Sequence, residues 1–341
     1  MQTELTRHVP CGPEVGFKAS CGTMFTMTTA PIAPRRLPTL DAVPHAIPYQ
    51  GSKRQLAHAI IPLLPQDTGQ LIEPFAGSAA VSIAAAYLAI PKTVVISDIN
   101  EPLMTLWQRI LVDPAGLADD YESMWKAQLS DPRQYFEEVR SKFNATHEPH
   151  FLLYLLARCV KAAVRYNRDG NFNQGADHRR LGAKPVTMRA RLLATSNTLV
   201  GATAITRDYT DALESASSGD VVYMDPPYEG VSNTRDNRYM AGLSRESFVA
   251  SLRNAIDRDI SFILSYDGTT GTKSYGKPLT EALDLMHLHL YAGKSSQATL
   301  SGKTAHTVES LYLSPALVSR LGGIAEVTAR LLPVEAETPL P

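Results

Sequence analysis

The fold is decided by residues 70–111, which read QLIEPFAGSAAVSIAAAYLAIPKTVVISDINEPLMTLWQRIL. A short apolar run at 70–73 ends in a Pro-Phe-Ala-Gly-Ser turn, and an alanine-rich stretch with helical spacing follows the turn. A second run, β-branched, occupies 93–97 and ends at Asp98, after which another helical pattern begins. Strand, turn, helix, strand, acid and helix in this order predict a doubly wound α/β fold with a parallel sheet.

Further strands are predicted in the second half of the chain. The strand-like runs lie at 221–224, 261–265, 288–292 and 308–314. Between the two groups of strands the pattern is helical and basic, with a turn-rich island at 166–176. The sequence therefore predicts a discontinuous catalytic domain over 49–114 and 201–331, interrupted by a helical insert over 115–200.

The two ends of the chain show no sustained period. Residues 1–48 contain seven prolines and two of the three cysteines, Cys11 and Cys21, and we expect a disordered leader there. We expect a loose tail over 332–341.

Composition excludes several classes of protein. Of 341 residues, 44% are hydrophobic and 20% are charged, which is typical of globular proteins. No run approaches the roughly 18–20 apolar residues that a membrane span needs. Three cysteines do not form a disulfide framework, and the first residues, MQTELTRH, lack the pattern of a secretory signal. We therefore expect a cytoplasmic enzyme without membrane contact.

Positive charge is concentrated in one segment, although 33 basic and 34 acidic residues give a net charge of −1. Residues 158–191 hold nine basic and two acidic residues, which gives this segment a charge of +7. Such a segment indicates contact with a polyanion. A solvated helical face would give the same pattern, and both interpretations stay open at this point.

The string VVYMDPPYEG at 221–230 offers a candidate catalytic site. A predicted strand ends at Asp225, and ligands bind at the carboxyl ends of strands in α/β sheets. The two prolines that follow fix the loop. The Asp225 carboxylate and the Pro226 carbonyl oxygen are acceptors beside the ring of Tyr228, a set that suits an exocyclic amino group on a flat base. The alternative is an ordinary turn, because Asp-Pro is a common turn pair.

A second candidate site lies at 71–82. The first strand ends at Glu73, a glycine turn opens a helix, and Asp98 ends the next strand. An acid at that position accepts hydrogen bonds from ribose hydroxyls in nucleotide-binding folds. Gly77 is the only glycine in this stretch, so it is not a GxGxxG fingerprint. A cofactor with adenosine but without a pyrophosphate fits better.

These motifs together resemble the Dam-type DNA adenine-N6 methyltransferases. The resemblance runs from about 48 to 314 and follows that family's motif order. The matching strings are PYQGSK (48–53), EPFAGSAA (73–80), SDINEPLMTLW (97–107), RYNRDGNFN (165–173) and DPPY (225–228). It implies a Rossmann-like methyltransferase sheet with a helical target-recognition insert, and a site-specific DNA methyltransferase that modifies N6 of a flipped adenine in duplex DNA.

The resemblance also implies roles for individual residues. S-adenosylmethionine would be the cofactor, held by Tyr49, Gly51, Lys53, Glu73, Phe75, Gly77 and Asp98. Catalysis would fall to Asp225 and Pro226, which would bind the adenine amino group, and to Tyr228, which would stack on the base. Arg165, Tyr166 and Asn167 would face the DNA, with Tyr166 as a wedge into the base stack.

Within the insert, the charge pattern extends this set of DNA-binding residues. We expect Lys161 and Arg168 to contact phosphate. Arg179 and Arg180 lie where the family pattern is lost, because QGADHRRLG (174–182) replaces a VPFG-like string, and we expect base readout there. Two further departures are Ala79 in place of the family's second glycine and Ser52 in place of a frequent glycine.

Two other functions are compatible with these residues. One is the same chemistry on RNA, and the other is a non-catalytic nucleic-acid-binding module that keeps a relict cofactor fold. The RYN turn favours duplex DNA over RNA, and the intact DPPY favours catalysis. We expect a nucleoid-associated enzyme, and the sequence leaves open whether a cognate restriction endonuclease accompanies it.

Overall fold

The structure is a computed structural model that describes residues 31–227, 243–270, 273–275, 278–294 and 306–332. Its strands are β1 Gln70–Glu73, β2 Thr93–Asp98, β3 Thr203–Thr206, β4 Val221–Met224, β5 Phe262–Thr270, β6 Lys273–Tyr275, β7 Met286–Lys294 and β8 His306–Leu313. Its α-helices are α1 Ala57–Ile60, α2 Ala80–Tyr87, α3 Glu101–Val112, α4 Pro114–Ala127, α5 Pro132–Thr146, α6 Pro149–Arg158, α7 Pro185–Thr198, α8 Tyr209–Ser215, α9 Arg245–Asp257, α10 Pro315–Arg320 and α11 Ile324–Leu331. Short 3₁₀ helices lie at Pro38–Ala42, Ile61–Leu63, Val160–Ala162 and Leu279–Glu281.

All of these strands belong to one mixed sheet. The order is β3-β2-β1-β4-β5-β8-β7, and β6 pairs with β5. The five strands from β3 to β5 in this order are parallel to their neighbours, and β8 is antiparallel to both β5 and β7. The chain starts at the centre with β1, runs outward to β3, and then returns to β4 on the other side of β1. The direction of winding therefore changes between β1 and β4, which is where ligands bind in such sheets. The predicted doubly wound α/β fold is confirmed.

Both faces of the central strands are covered by helices, which explains why their sequences are continuously apolar. Leu71 of β1 packs into one core cluster and the next residue, Ile72, packs into the other. Val94 and Val95 of β2 divide in the same way. Side chains of a strand alternate between its faces, so each buried run contributes to both cores and holds its terminal residue in a fixed place.

Helices α4 to α7 lie between β2 and β3, in the region predicted to be a helical insert. Asp113 and Asp131 start α4 and α5, since their side chains accept hydrogen bonds from N–H groups of the first turn and a proline follows each. Phe136 and Phe143 of α5 are fully buried. The turn-rich island predicted at 166–176 separates the first three of these helices from α7.

The prediction of a disordered leader is wrong for residues 31–48. The Ile32 N–H donates to the carbonyl of His289 at 2.7 Å, and the Tyr291 N–H donates to the carbonyl of Ile32 at 2.8 Å, so this segment extends the edge of β7. Leu40 and Ile47 are buried in the core. The segment is irregular, and its buried residues are isolated along the chain. They therefore leave no periodic pattern in the sequence.

Residues 1–30, with Cys11 and Cys21, lie outside the described part of the chain, and so do residues 333–341 of the expected tail. Within the described ranges, no helix combines the length and apolar character needed to span a membrane.

Candidate active site

The candidate catalytic carboxylate is Asp225, the first residue after β4. Lys53 Nζ lies 3.3 Å from Asp225 Oδ1 and 3.1 Å from Glu309 Oε2. The three side chains are largely withdrawn from solvent, with 22% of Asp225, 14% of Lys53 and 20% of Glu309 exposed. We call this set the Asp225–Lys53–Glu309 cluster. It brings together a predicted catalytic residue, a predicted cofactor residue and a residue of β8.

Burial and the neighbouring charges act on Asp225 in opposite directions. Burial raises the pKa of Asp225 to about 6, the ammonium of Lys53 opposes that rise, and the carboxylate of Glu309 adds to it. At pH 7 the carboxylate is therefore mostly ionised. It is a strong hydrogen-bond acceptor that has been stripped of much of its water.

The residues of β4 next to Asp225, Tyr223 and Met224, are fully buried. The Tyr223 hydroxyl lies 3.1 Å from Ser265 Oγ in a buried hydrogen bond. Burial, together with the charge on Asp225, raises the pKa of Tyr223 well above 10, so its phenol stays neutral. Pro226 is buried directly after Asp225. Tyr228, the predicted stacking residue, lies outside the described residues.

Two further acids end the neighbouring strands β1 and β2. Glu73 is 4% exposed and accepts a hydrogen bond from the Ser82 N–H at 2.8 Å. Burial raises the pKa of Glu73 to about 7. Asp98 accepts from the N–H groups of Asn100 at 3.0 Å and Gly77 at 3.4 Å. Burial raises the pKa of Asp98 as well.

The turn after β1 is held tightly around Gly77. Its φ is +48°, and a Cβ at this position would lie 3.0 Å from Cε1 of Tyr49. The Trp107 indole N–H donates to the Gly77 carbonyl at 3.0 Å, and the Ser52 and Ser78 hydroxyls are 2.8 Å apart. The predicted cofactor residues Tyr49, Gly77 and Asp98 therefore meet in one place.

The other two predicted cofactor residues border this turn. Phe75 has φ +61° and its ring stacks on Tyr209 with centroids 5.4 Å apart. Gly51 is exposed with φ +85°, in the loop that carries Tyr49.

This chemistry fits S-adenosylmethionine. The carboxylates of Glu73 and Asp98 flank the glycine turn, and the Gly77 N–H donates a hydrogen bond to Asp98. This arrangement suits a cationic ligand that carries a ribose. A phosphate cradle would instead need several free N–H groups without adjacent acids. Glu73 and Asp98 would hold the group, and Tyr49 would border it.

The predicted DNA wedge, Tyr166, is contradicted by the structure. Its side chain is 9% exposed, its hydroxyl donates to Asn100 Oδ1 at 3.3 Å, and its ring meets Phe172 edge to face. A ring held by these contacts cannot enter a base stack without leaving the core. Tyr166 joins the helical insert to the loop that follows Asp98.

Asn167, which the resemblance places on the DNA face, holds the turn together. Its Oδ1 accepts from the N–H groups of Asp169 at 3.0 Å and Asn171 at 2.9 Å. Arg168 is exposed at the tip of this turn, and Arg165 is half-buried beside it. The turn therefore presents Arg168 to solvent, whereas the side-chain oxygen of Asn167 accepts hydrogen bonds within the turn.

Basic residues of the insert divide between the surface and the interior. Arg179 and Arg180 are exposed and pair with the buried Asp177 at 3.1 and 2.7 Å. Lys161 is exposed as well. Arg158, counted above in the basic segment, is buried and donates to the Asp177 carbonyl. The positive surface is thus smaller than the sequence count suggests.

Glu309 is the main site residue that sequence reasoning missed. It lies within the apolar run VESLYLS at 308–314, which was correctly predicted to be a strand. A charged side chain inside such a run is a signal by itself, because carboxylates are rarely buried without a partner. Its partner, Lys53, could not be found from spacing along the chain.

Comparison with known proteins identifies the family to which this site belongs. Residues 49–288 match the family model described as D12 class N6 adenine-specific DNA methyltransferase. The chain belongs to this family. The resemblance drawn from the motifs is confirmed, and the match includes Lys53 and Asp225.

Three named relatives of the chain are 25–29% identical to it. A DNA adenine methylase of Serratia marcescens is 29% identical over 168 residues, which cover 48% of this chain and 59% of that protein. A DNA adenine methylase of Vibrio cholerae is 25% identical over 235 residues, covering 66% of this chain and 82% of that protein. A DNA N-6-adenine-methyltransferase of Escherichia phage P1 is 26% identical over 191 residues, 54% of this chain and 24% of that protein.

Proposed function

We propose that the protein is a site-specific DNA methyltransferase that transfers the methyl group of S-adenosylmethionine to N6 of an adenine flipped out of duplex DNA. The observation that supports this most strongly is the ion pair between the Asp225 carboxylate, directly after β4, and Lys53 at 3.3 Å. The neighbouring residue Ser52 contacts Ser78 in the glycine turn after β1. Family membership supplies the reaction class, and the cluster supplies residues able to carry it out.

The chemical difficulty lies in the adenine amino group. Its nitrogen lone pair is delocalised into the ring, so it is a weak nucleophile. In the proposed complex the Asp225 carboxylate and the Pro226 carbonyl each accept one amino hydrogen, which increases electron density on N6 and favours a pyramidal nitrogen. When bound, S-adenosylmethionine supplies an electrophilic methyl group on a sulfonium. Alignment of the two reactants then lowers the barrier by roughly several kcal/mol. As the bond from N6 to the methyl carbon forms, the bond from that carbon to sulfur breaks and leaves a neutral thioether, and the methylated amino group loses one proton to water.

Lys53 has a second role in this proposal besides any contact with the cofactor. Its ammonium holds Asp225 by an ion pair and keeps the carboxylate ionised against the effect of burial. Glu309 pairs with the same ammonium at 3.1 Å. Asp225 is thereby oriented before the substrate arrives.

The helices over 115–200 are proposed to form the target-recognition part, with residues 49–114 and 201–331 as the catalytic domain. Lys161 and Arg168 are exposed there, and we propose that they neutralise phosphates and so offset the few kcal/mol of base flipping. Arg179 and Arg180 are exposed as well, and base readout is proposed for them. An enzyme of this kind works where the DNA lies, which we propose to be the nucleoid.

A mapping experiment tests this function. Host DNA lacking other adenine methylation is sequenced at base resolution after expression of the wild type and of Asp225→Ala. We expect N6-methyladenine at one short sequence with the wild type and none with the variant. Methylated RNA with unmodified DNA would favour the RNA alternative. A cognate restriction endonuclease would be revealed by cleavage of unmethylated DNA at the mapped sequence in extracts of the source cells.

A further inference from the structure

A cleft of about 350 Å³ lies beside the candidate active site, between the segment 48–54 and the end of α6. The Gln50 N–H donates to the Ala162 carbonyl at 3.0 Å, which ties the two walls together. Three cations line the cleft, namely Arg54, Lys161 and Arg180, among the side chains of Tyr49, Ser52 and Leu156.

The charge in this cleft is not balanced by acids. Neither Arg54 nor Lys161 has a carboxylate within 4 Å in the described part of the chain. Arg180 shares the single carboxylate of Asp177 with Arg179. The lining therefore keeps a net positive charge, and only Asp177 partly neutralises it.

Arg54 is the only one of these three cations that is not exposed. One Nη donates to the Ile47 carbonyl at 3.1 Å, whereas the buried Nε–H has no hydrogen-bond partner among the described residues. Burial and the nearby Arg191 both lower the pKa of Arg54, which means that its charge is held unfavourably. An anion in the cleft would offset the unfavourable placement of this charge.

We propose that this cleft binds a single backbone phosphate of the nucleic-acid substrate, with Arg54 as its principal ligand. The inference rests on the proposed function, because the DNA supplies the phosphate. A guanidinium presents paired N–H donors that match phosphate oxygens, and the cleft opens to solvent where a strand can pass. Because residues 49–53 of the same segment contribute to the active site, the contact would set the position of the target nucleotide relative to Asp225.

Neutral phosphates test this contact directly. Duplexes carrying the mapped target receive one methylphosphonate at a time along both strands, and each is titrated with wild type, Arg54→Gln, Arg54→Lys and the control Arg109→Gln. Arg109 lies on α3 and pairs with Asp113 and Asp120. We expect one position at which the wild type loses about tenfold or more in affinity and Arg54→Gln loses nothing further. Arg54→Gln should also lower the slope of log affinity against log salt by about one, while Arg54→Lys and Arg109→Gln keep the slope.

Several results would overturn the inference. One is an equal loss of DNA affinity in wild type and Arg54→Gln at every methylphosphonate position. Another is an unchanged slope of log affinity against log salt in a folded Arg54→Gln. Should Arg54→Gln not fold, Lys161→Gln and Arg180→Gln, both at exposed positions, must show the same single-position effect. Inorganic phosphate distinguishes the other source: if it raises the melting temperature of wild type but not of Arg54→Gln, and no methylphosphonate position couples to Arg54, the cleft takes a free anion and the inference is wrong. If mapping finds no methylated sequence, the proposed function is contradicted, and the salt slopes of wild type and Arg54→Gln on an arbitrary duplex of the same length still test the phosphate contact by itself.

Discussion

Two substitutions in the Asp225–Lys53–Glu309 cluster should move the pH profile of methyl transfer in opposite directions. The proposed mechanism requires ionised Asp225, so we expect activity to be lost as pH falls through the pKa of that carboxyl, which lies at about 6. Removing the Lys53 ammonium should raise this pKa, and removing the Glu309 charge should lower it. The acid limb of kcat/KM for DNA reports the pKa in the free enzyme.

The structure sets the size of each shift. The Lys53 ammonium is 3.3 Å from Asp225, which corresponds to about 5 kcal/mol at an effective dielectric constant of about 20. Partial exposure screens such pairs. If roughly half remains, Lys53→Met raises the pKa by about two units, to roughly 8. The two contacts of Lys53 keep the Asp225 and Glu309 oxygens within 6.4 Å of each other. The same reasoning gives a decrease of about one unit for Glu309→Gln.

The assay is the pH dependence of single-turnover methylation from pH 4.5 to 9, with S-adenosylmethionine saturating for each variant and the enzyme kept below its Kd for DNA. Under these conditions the observed rate constant divided by the enzyme concentration gives kcat/KM for DNA. At pH 7, Lys53→Met should be about tenfold slower than wild type, because the ionised fraction of Asp225 falls from about nine-tenths to one-tenth. At pH 5.5, Glu309→Gln should be about threefold faster, relative to its own plateau, than wild type. Lys126→Met, which breaks an exposed pair with Glu122, is the control and should not shift the limb. An upward shift in Glu309→Gln would refute the reasoning, since Glu309 would then act only by placing Lys53.

Three further predictions concern the cofactor turn and stability. Gly77→Ala should destabilise the protein by about 1–2 kcal/mol in urea unfolding and weaken cofactor binding, since φ is +48° and the new Cβ would lie 3.0 Å from Tyr49. The control Ala79→Gly, also at positive φ, should change the free energy of unfolding by less than about 1 kcal/mol, and equal effects of the two substitutions would contradict this account. Binding of the cationic cofactor at pH 7 should release about half a proton, because burial raises the pKa of Glu73 to about 7 and a bound cation lowers that pKa again. Calorimetry in buffers of different ionisation enthalpy measures the proton release, and cofactor binding to Glu73→Gln should release no proton. Burial lowers the pKa of His287 to about 4, so between pH 7 and pH 5 the unfolded chain binds a proton at this residue and the folded chain does not, and the free energy of unfolding should fall by roughly 2 kcal/mol. In urea unfolding, the decrease for His287→Phe should be smaller by about that amount, and an equal decrease in both proteins would show that other groups dominate.

The central sheet could be predicted from sequence because its strands are buried on both faces. β1 and β4 have the predicted bounds 70–73 and 221–224. β3, at Thr203–Thr206, was missed because it is a four-residue edge strand with a single buried residue, which leaves no pattern to detect. The strand β8 was predicted, but its pairing with both β5 and β7 follows from tertiary contacts.

The candidate site was predictable only where its residues follow strand ends. Asp225, Glu73 and Asp98 each end a β-run, so their place at one edge of the sheet follows from the parallel topology. Contacts between distant segments could not be derived in this way, and the pairing of Lys53 with Glu309 is one of them. The prediction that Tyr166 is a DNA wedge was wrong for a related reason. The motif resemblance does not reveal that the side chain contacts Phe172 and Asn100 inside the protein.

Single-turnover methylation by Asp225→Asn tests the central claim most directly. The substitution keeps the size of the side chain and removes the charge that makes it a strong acceptor. We expect the rate of methyl transfer to the mapped adenine to fall at least about a hundredfold, which corresponds to about 2.7 kcal/mol, while affinities for S-adenosylmethionine and DNA stay within about tenfold. Wild-type rates in Asp225→Asn, with both ligands bound normally, would contradict the assignment of Asp225 as the acceptor that activates the adenine amino group.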